Sequence, residues 1–343
     1  MEFSKALISW YLQNKRDLPW RNTKNPYYIW LSEIILQQTR VAQGLPYYLK
    51  FTETFPTVQT LANADEEEVL KLWQGLGYYS RARNLHQTAK NISQNKNGKF
   101  PDNYLELKKL KGVGDYTAAA IASFSYQENI AVVDGNVYRV LARYFGLDHD
   151  ISQPKTKKIF QELADNLLPK GKASEFNQAI MEFGALQCIP KNPDCETCIF
   201  NNSCFALQHK KVDQLPVKLK KIKVTNRYLN FVVVKDISGN FTLEKRSEND
   251  IWKNLHQFPL IESSTKDSLE KTIQNIKIKY KVENIKLFNE KEIIHKLSHQ
   301  KLHIHFFEIT LETNIENSIT FSELLTKPFP IVIHNFIEAN YLN

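Results

Sequence analysis

With 343 residues, 42% of them hydrophobic and 12% aromatic, the chain has material for two domains with proper cores and does not have the composition of a disordered polypeptide. A formal charge of +8 suits a polyanionic partner without requiring one. No run is long and apolar enough to cross a membrane, the N-terminus lacks the apolar core of a signal peptide, and all four cysteines fall between Cys188 and Cys204; a disulfide framework stapling the whole chain is excluded, no membrane partner is expected, and a cytoplasmic, nucleoid-associated location is.

Residues 3 to 14 read as an amphipathic helix with Phe3, Leu7, Ile8, Trp10 and Tyr11 on its buried side. Arg16-Asp17-Leu18-Pro19-Trp20-Arg21 breaks it. Asn25-Pro26 is a helix start, a capping side chain followed by a proline where no N–H is missed, and predicts a helix from Tyr27 to about Gln43. Its first half is strongly apolar with Glu33 in the middle; Gln37, Gln38, Thr39 and Arg40 then form a polar cluster. Another helix is expected over 44–54, and a short one capped by Asp65 runs through Leu72. Trp73-Gln74-Gly75-Leu76-Gly77-Tyr78-Tyr79 is a glycine-rich aromatic turn, after which Arg81 and Arg83 open a helix.

Pro101-Asp102 is expected to cap the first helix of a helical hairpin whose turn is Leu110-Lys111-Gly112-Val113-Gly114-Asp115-Tyr116-Thr117-Ala118. Gly112 and Gly114 supply backbone freedom for the turn. Thr117 and the alanines after it resume a helix whose first amide N–H groups are unpaired, and such donors take a phosphate oxygen without reading sequence. Val133-Asp134-Gly135-Asn136-Val137 follows, with Asp134 at the start of the next helix. Either stretch alone is ordinary, a turn between helices and a helix cap. Together, a phosphate grip and a carboxylate point to chemistry on a DNA nucleotide. Helices at about 134–145, 155–168 and 172–185 complete an all-α region, because nothing before residue 205 alternates as a strand does.

Cys188, Cys195, Cys198 and Cys204 are spaced Cys-x6-Cys-x2-Cys-x5-Cys. Zinc sites pair their ligands through two to four residues, which the wide first gap does not fit, whereas four clustered thiolates also hold an iron–sulfur cluster. The spacing predicts metal binding and leaves the metal open. Residues 208 to 224 are lysine-rich, with Pro216, and read either as a linker lying along DNA phosphates or as a solvated charged segment. From Arg227 the signals are strands, at Tyr228–Val234, Phe241–Lys245 and Lys301–Thr310, with helices expected over 266–280 and 334–342. This is a separate α+β domain, and the domain organisation expected is 1–206, a basic linker 207–224, and 225–343.

These motifs, in this order over the N-terminal 205 residues, resemble the endonuclease III, or helix-hairpin-helix, superfamily of DNA glycosylases, and within it the MutY family of adenine DNA glycosylases. The residues that carry the resemblance are Leu18-Pro19-Trp20, Trp30 to Thr39, Gly75 to Arg81, Gly112 to Ala118, Val133 to Val137 and the cysteine spacing. The resemblance implies a [4Fe–4S] cluster on Cys188, Cys195, Cys198 and Cys204, structural or DNA-docking in role. It implies double-stranded DNA as partner, carrying adenine opposite 8-oxoguanine or guanine, and a monomeric, monofunctional enzyme of base excision repair.

Expelling adenine requires an acid still protonated near neutral pH, and burial raises a carboxyl pKa. The oxocarbenium-like sugar left behind wants a second carboxylate that stays ionised. Taken alone, the sequence makes Glu33 an exposed helix residue; the resemblance makes it the general acid and base, Asp134 the stabilising carboxylate, Tyr116 a contact of the active-site groups and Asn136 an orienting residue. Strand-nicking relatives carry a lysine where this chain has Tyr116, and some members have one where it has Tyr138, so Schiff-base chemistry is not expected. The resemblance assigns DNA contacts to Gln38 and Tyr78, as wedges beside the orphaned base, to Thr39, Arg40, Leu76 and Arg81, and to Gly112, Gly114 and Thr117. The C-terminal domain resembles a Nudix-like domain without the acidic helix of active hydrolases, so no pyrophosphatase activity is expected. Its Leu297-Ser298-His299 matches the family loop implicated in recognising 8-oxoguanine. His295, His299, His303 and His305 also read as zinc ligands, but His303 and His305 fit one face of an alternating strand.

Overall fold

The structure, a computed structural model, describes residues 2–219 and 223–342, so that 220–222 of the lysine-rich segment lie outside the described residues. Its contacts divide the chain into two units: Met1–Asn63 with Asn84–Lys220, and Ala64–Arg83 with Lys221–Asn343. None of its helices, among the described residues, is long and apolar enough to cross a membrane.

The first unit is helical. Its helix Pro26–Leu36 starts where expected, Asn25 Oδ1 accepting from the Tyr27 N–H at 3.0 Å with Pro26 in the first turn. It ends at Leu36 rather than Gln43, because Gln38 takes a left-handed φ of 56° and a second helix begins at Val41 and runs to Thr54. The two helices approach closely at Gly44, where a Cβ would sit 2.7 Å from Leu36 Cδ2. The hairpin's first helix is short, Tyr104–Leu107, and its cap is Asn103, whose Oδ1 accepts from the Glu106 N–H at 3.0 Å, not Pro101-Asp102. Its second is Asp115–Tyr126. Of the two turn glycines only Gly112, at φ 77°, uses left-handed backbone; Gly114 is extended at φ −91°.

The helices Glu2–Asn14, Gly135–Phe145, Pro154–Leu167 and Ala173–Leu186 pool Leu7, Val140, Leu141, Phe160, Phe176 and Ile180 into one core. Leu215 joins it at 3% exposure, with its carbonyl accepting from Arg143 Nε at 3.0 Å. The Ile151 N–H likewise donates to Val217 O at 3.0 Å. The described start of the segment expected as a linker therefore packs on the helical unit.

The second unit is built on a five-stranded mixed sheet. Its centre is a parallel pair, Thr225–Lys235 and Gln300–Thr310, flanked by the antiparallel strands Leu260–Ser263, Lys286–Leu287 and Ile293–Lys296. Side-chain alternation along the central pair feeds two layers. Val232, Val234, Phe307 and Ile309 pack with Ile276 of the helix Leu269–Tyr280. Phe231 and Phe306 stack, and Phe306 lies 3.9 Å from Phe336 of the helix Ile331–Ile337, which a wider turn at Glu338–Leu342 follows. The strand expected at Phe241–Lys245 shrinks to Glu244–Lys245, because Phe241 pairs instead with Ile319.

Residues 64–83 belong to this second unit although they interrupt the helical region in sequence. The helix Glu66–Leu72 is held by Glu67, which meets Lys245 at 2.8 Å, His256 at 3.0 Å and Lys327 at 3.2 Å, and by Lys71 Nζ, which donates to Leu325 O at 2.7 Å.

Candidate active site

Glu33 sits on the inner side of the helix Pro26–Leu36 and is 7% exposed. Its Oε2 accepts a short hydrogen bond from the Tyr116 hydroxyl, which arrives from the second hairpin helix. Gln37 Nε2 donates to Thr117 Oγ1 at 3.1 Å and ties the same two elements together. Burial pushes the Glu33 carboxyl up to about 7; the Tyr116 hydrogen bond and Arg21 oppose the shift, and the charge of Asp134 adds to it. Tyr116, driven far up by burial and by both carboxylates, remains a donor.

Asp134 caps the helix Gly135–Phe145, its Oδ1 accepting from the Val137 N–H at 2.8 Å and its Oδ2 from Asn136 Nδ2 at 2.8 Å. Burial raises this carboxyl too, against those donors and Arg139. The exposed position that the sequence alone gives Glu33 is therefore corrected: both carboxyls are buried, and they differ in their partners. Asn136 Oδ1 in turn accepts from Arg139 Nη2 at 2.9 Å, and Arg139 Nε donates to Cys188 O at 2.7 Å. One turn on, Arg143 Nη1 reaches Cys188 Sγ at 3.4 Å. One helix thus ties the Asp134 end of the site to the cysteine loop.

Two cavities meet this constellation. A groove of about 1,010 Å³ is lined by Gln38, Gly114, Asp115, Tyr116, Asp134, Tyr138 and the lysines Lys157 and Lys158. A smaller cavity of about 130 Å³ is lined by Glu33 itself, with Trp20, Arg21, Ser174 and Gln178 in its wall. The last two, with Glu182, recur every four residues on one face of Ala173–Leu186. Reading the sequence missed them; a polar residue at every fourth position, Ser174, Gln178 and Glu182, was the available signal.

The other candidate residues fall into three groups. Gly114 is the N-cap of a helix whose first N–H groups receive no side-chain cap, and nothing lies within 4 Å of where its Cβ would be, so that end is open to an anion. Thr117 is 1% exposed with its hydroxyl engaged by Gln37, and cannot offer its side chain to DNA. Thr39 Oγ1 donates to Gln37 O at 3.3 Å, and Arg40 is the exposed N-cap residue of Val41–Thr54.

In the second unit, Leu76 and Arg81 are buried. Arg81 Nη2 donates to Leu76 O at 3.3 Å and the guanidinium lies 5.0 Å from the Trp73 ring, so Arg81 braces the turn. Tyr78, at φ 47° and 45% exposed, shares a pocket of about 570 Å³ with Leu76, Trp252, Leu297, Ser298 and His299. Gln38 and Tyr78, expected as a pair of wedges, belong to different units. His303 is engaged with Asn226 and Glu292 at 3.0 Å each and stacks on Tyr228, which occupies it as a strand residue.

All four cysteines line one small cavity, about 30 Å³, with Arg143, Tyr144 and Phe200 around it. Besides Arg143 on Cys188, the Phe200 N–H donates to Cys198 Sγ at 3.4 Å. Burial pushes the Cys198 thiol up to about 11 and raises those of Cys195 and Cys204. No three His, Cys, Asp or Glu side chains among the described residues close on a single ion position. Four sulfurs ringing a cavity, two of them facing N–H donors, fit a multi-atom iron–sulfur group, whose sulfurs accept such bonds.

Comparison with known proteins follows the same lines. Residues 31–166 match the HhH-GPD superfamily base excision DNA repair proteins and residues 230–339 the NUDIX domain, which makes the class a base excision repair protein with a helix-hairpin-helix and a Nudix-like domain. Adenine DNA glycosylase of Buchnera aphidicola from Schizaphis graminum is 38% identical over 305 residues, 88% of this chain and 86% of that protein. The human adenine DNA glycosylase is 42% identical over 222 residues, 62% of this chain and 41% of that one. The chain belongs to the adenine DNA glycosylase family. Among solved structures, a thermostable thymine-DNA glycosylase aligns with a TM-score of 0.56 and 31% identity over 60% of this chain and 95% of its own. An endonuclease III caught in a covalent DNA complex shares the fold, with a TM-score of 0.53 and 21% identity over 60% of this chain and 94% of that one.

Proposed function

We propose that the protein removes adenine mispaired with 8-oxoguanine or guanine in double-stranded DNA, as a monofunctional glycosylase. The observation that carries this reading is Glu33: a buried carboxyl pushed up to about 7, hydrogen-bonded by a phenol, lining a cavity, and near enough to Asp134 to feel its charge. The adenine, turned out of the duplex, stacks beside Glu33, which gives its proton to a ring nitrogen as the glycosidic bond breaks, so the base leaves neutral. The electron-poor sugar is stabilised by Asp134, held in place by Asn136 and the Val137 N–H. Water completes the reaction at the sugar, with the Glu33 carboxylate now the base. Tyr116 holds Glu33 and, having no amine, offers no Schiff base. The hairpin N-terminus at Gly114 grips a phosphate beside the reacting nucleotide. The pocket shared by Tyr78 and Leu297–His299 supports a reading in which the base opposite the adenine is examined there. Cys188, Cys195, Cys198 and Cys204 would hold a [4Fe–4S] cluster, which would cross-link the loop after Ala173–Leu186 and would supply no step of the reaction.

The test is single-turnover cleavage of duplexes carrying one central pair: adenine opposite 8-oxoguanine, guanine or thymine, and thymine opposite guanine. Alkali-dependent cleavage at adenine opposite 8-oxoguanine, lost in Glu33→Gln, is the expected result. Cleavage at thymine opposite guanine would overturn the specificity, and borohydride trapping of the protein on DNA would overturn the monofunctional assignment. Binding without any cleavage would favour a DNA-binding redox sensor.

A further inference from the structure

Glu182 is a buried carboxylate that the chemistry above leaves unused. It is 1% exposed and accepts from the main-chain N–H, Nε and Nη2 of Arg16 and from Nη1 and Nη2 of Arg21, at 2.5 to 2.9 Å. Arg21 is held further by Arg16 O at 3.0 Å and lies over the Tyr11 ring at 5.6 Å. The same Arg21 is part of the wall of the cavity that holds Glu33. One guanidinium, Arg21, therefore stands at the edge of a site whose acid must keep its proton, and it shares Glu182 as counter-ion with Arg16. The charged or titratable groups around Glu33 are Tyr116 from the hairpin, Asp134 before the next helix, Arg21 from the turn Pro19–Arg21, and Lys24 on the cavity wall.

We propose that Glu182 is a positioning residue for base removal: by binding Arg16 and Arg21 it holds the Arg21 guanidinium off Glu33. The inference rests on Glu33 as general acid. Burial alone would raise Glu182, yet the two arginines bring it down to about 2, so it stays an anion across the working range and the brace does not switch with pH. Released from Glu182, Arg21, which lines the same cavity as Glu33 and whose charge already acts on it, is free to turn into that cavity and would stabilise the form of Glu33 that cannot donate.

The experiment is the single-turnover rate of adenine release, from acid to alkaline pH, for the wild type, Glu182→Gln, and the double variant Arg21→Met with Glu182→Met. In Glu182→Gln the alkaline limb moves down by about one unit, so release above neutrality slows about tenfold while the acid plateau keeps its level. In the double variant the Arg21 cation is gone and the limb lies at or above the wild-type position. That arm also serves if Glu182→Gln fails to fold, since Arg21 and Glu182 leave together and Arg16, whose side chain is 35% exposed, keeps its access to water. A limb that stays put in the single variant, with the rate lowered evenly at every pH, makes Glu182 merely structural and overturns the proposal, as does a limb lowered in the double variant. Wild-type protein that releases no adenine, or Glu33→Gln that releases it normally, overturns the underlying reading, and the unmutated arms reveal this separately.

Discussion

Glu33 and Asp134 face the same chemistry from two differently built regions. Burial raises both carboxyls, so desolvation alone does not divide the labour. Glu33 accepts from one phenol and otherwise borders empty space that a base can fill. Asp134 accepts from a main-chain N–H and a side-chain amide, both oriented by a helix start, and through Asn136 and Arg139 it is tied to the cysteine loop. On the proposed reading, the acid is placed where its proton can leave and the anion where a helix start fixes its position.

The largest expected effect tests the two poles. Asp134→Asn loses roughly a thousandfold in release rate, and Glu33→Gln between about a hundred- and ten-thousandfold, with mispaired duplex still bound in a filter or fluorescence titration. The Glu33 change also has a stability consequence. The folded protein keeps this proton up to about pH 7, whereas an unfolded carboxyl releases it near its ordinary value of 4.5, so the stability linked to Glu33 is complete in acid and lost as pH rises through about 7. At about 1.4 kcal/mol per unit this is at most about 3.5 kcal/mol. Glu33→Gln should therefore unfold later than wild type in alkaline denaturant titrations and show no such gain in acid.

Arg139→Met sharpens the comparison on the Asp134 side. It cuts the tie between Asn136 and Cys188 O and should cost about ten- to a hundredfold in activity, with weaker visible absorbance from bound iron if the loop loosens, and with the midpoint of the pH profile unmoved. Tyr116→Phe, on the Glu33 side, is the smallest: a few-fold lower rate, but a midpoint shifted upward, because the lost hydrogen bond favours the carboxylate. If Arg139→Met moved the midpoint and Tyr116→Phe did not, the division between the two regions would be wrong.

Much of this site could be read from the sequence because it depends on local grammar. Asn25-Pro26 starts the helix that carries Glu33, Asp134 caps the helix that follows it, and Gly112 supplies a left-handed turn. The burial of Glu33 was not legible from its own neighbours and came only from the resemblance. The break at Gln38 was hidden because nothing in Gln-Gln-Thr-Arg announces a left-handed residue. Glu182 was hidden because its partners Arg16 and Arg21 lie more than 160 residues away, beyond any periodicity. Arg81 entered as a DNA contact through the resemblance alone; that it also braces Leu76 and Trp73 within its own turn is a matter of three-dimensional packing.

The membership of residues 64–83 in the second unit has a consequence for biosynthesis. Glu67 and Lys71 leave the ribosome early, yet Lys327, which meets both, is made some 250 residues later. At roughly 5–20 residues per second the delay is on the order of tens of seconds. Throughout it, a stretch set between the catalytic helices in the chain waits for partners that have not been translated. A premature stop between residues 220 and 245 would leave every proposed catalytic residue encoded and still strand this segment, so the damage would reach back into the half of the gene that reads as intact.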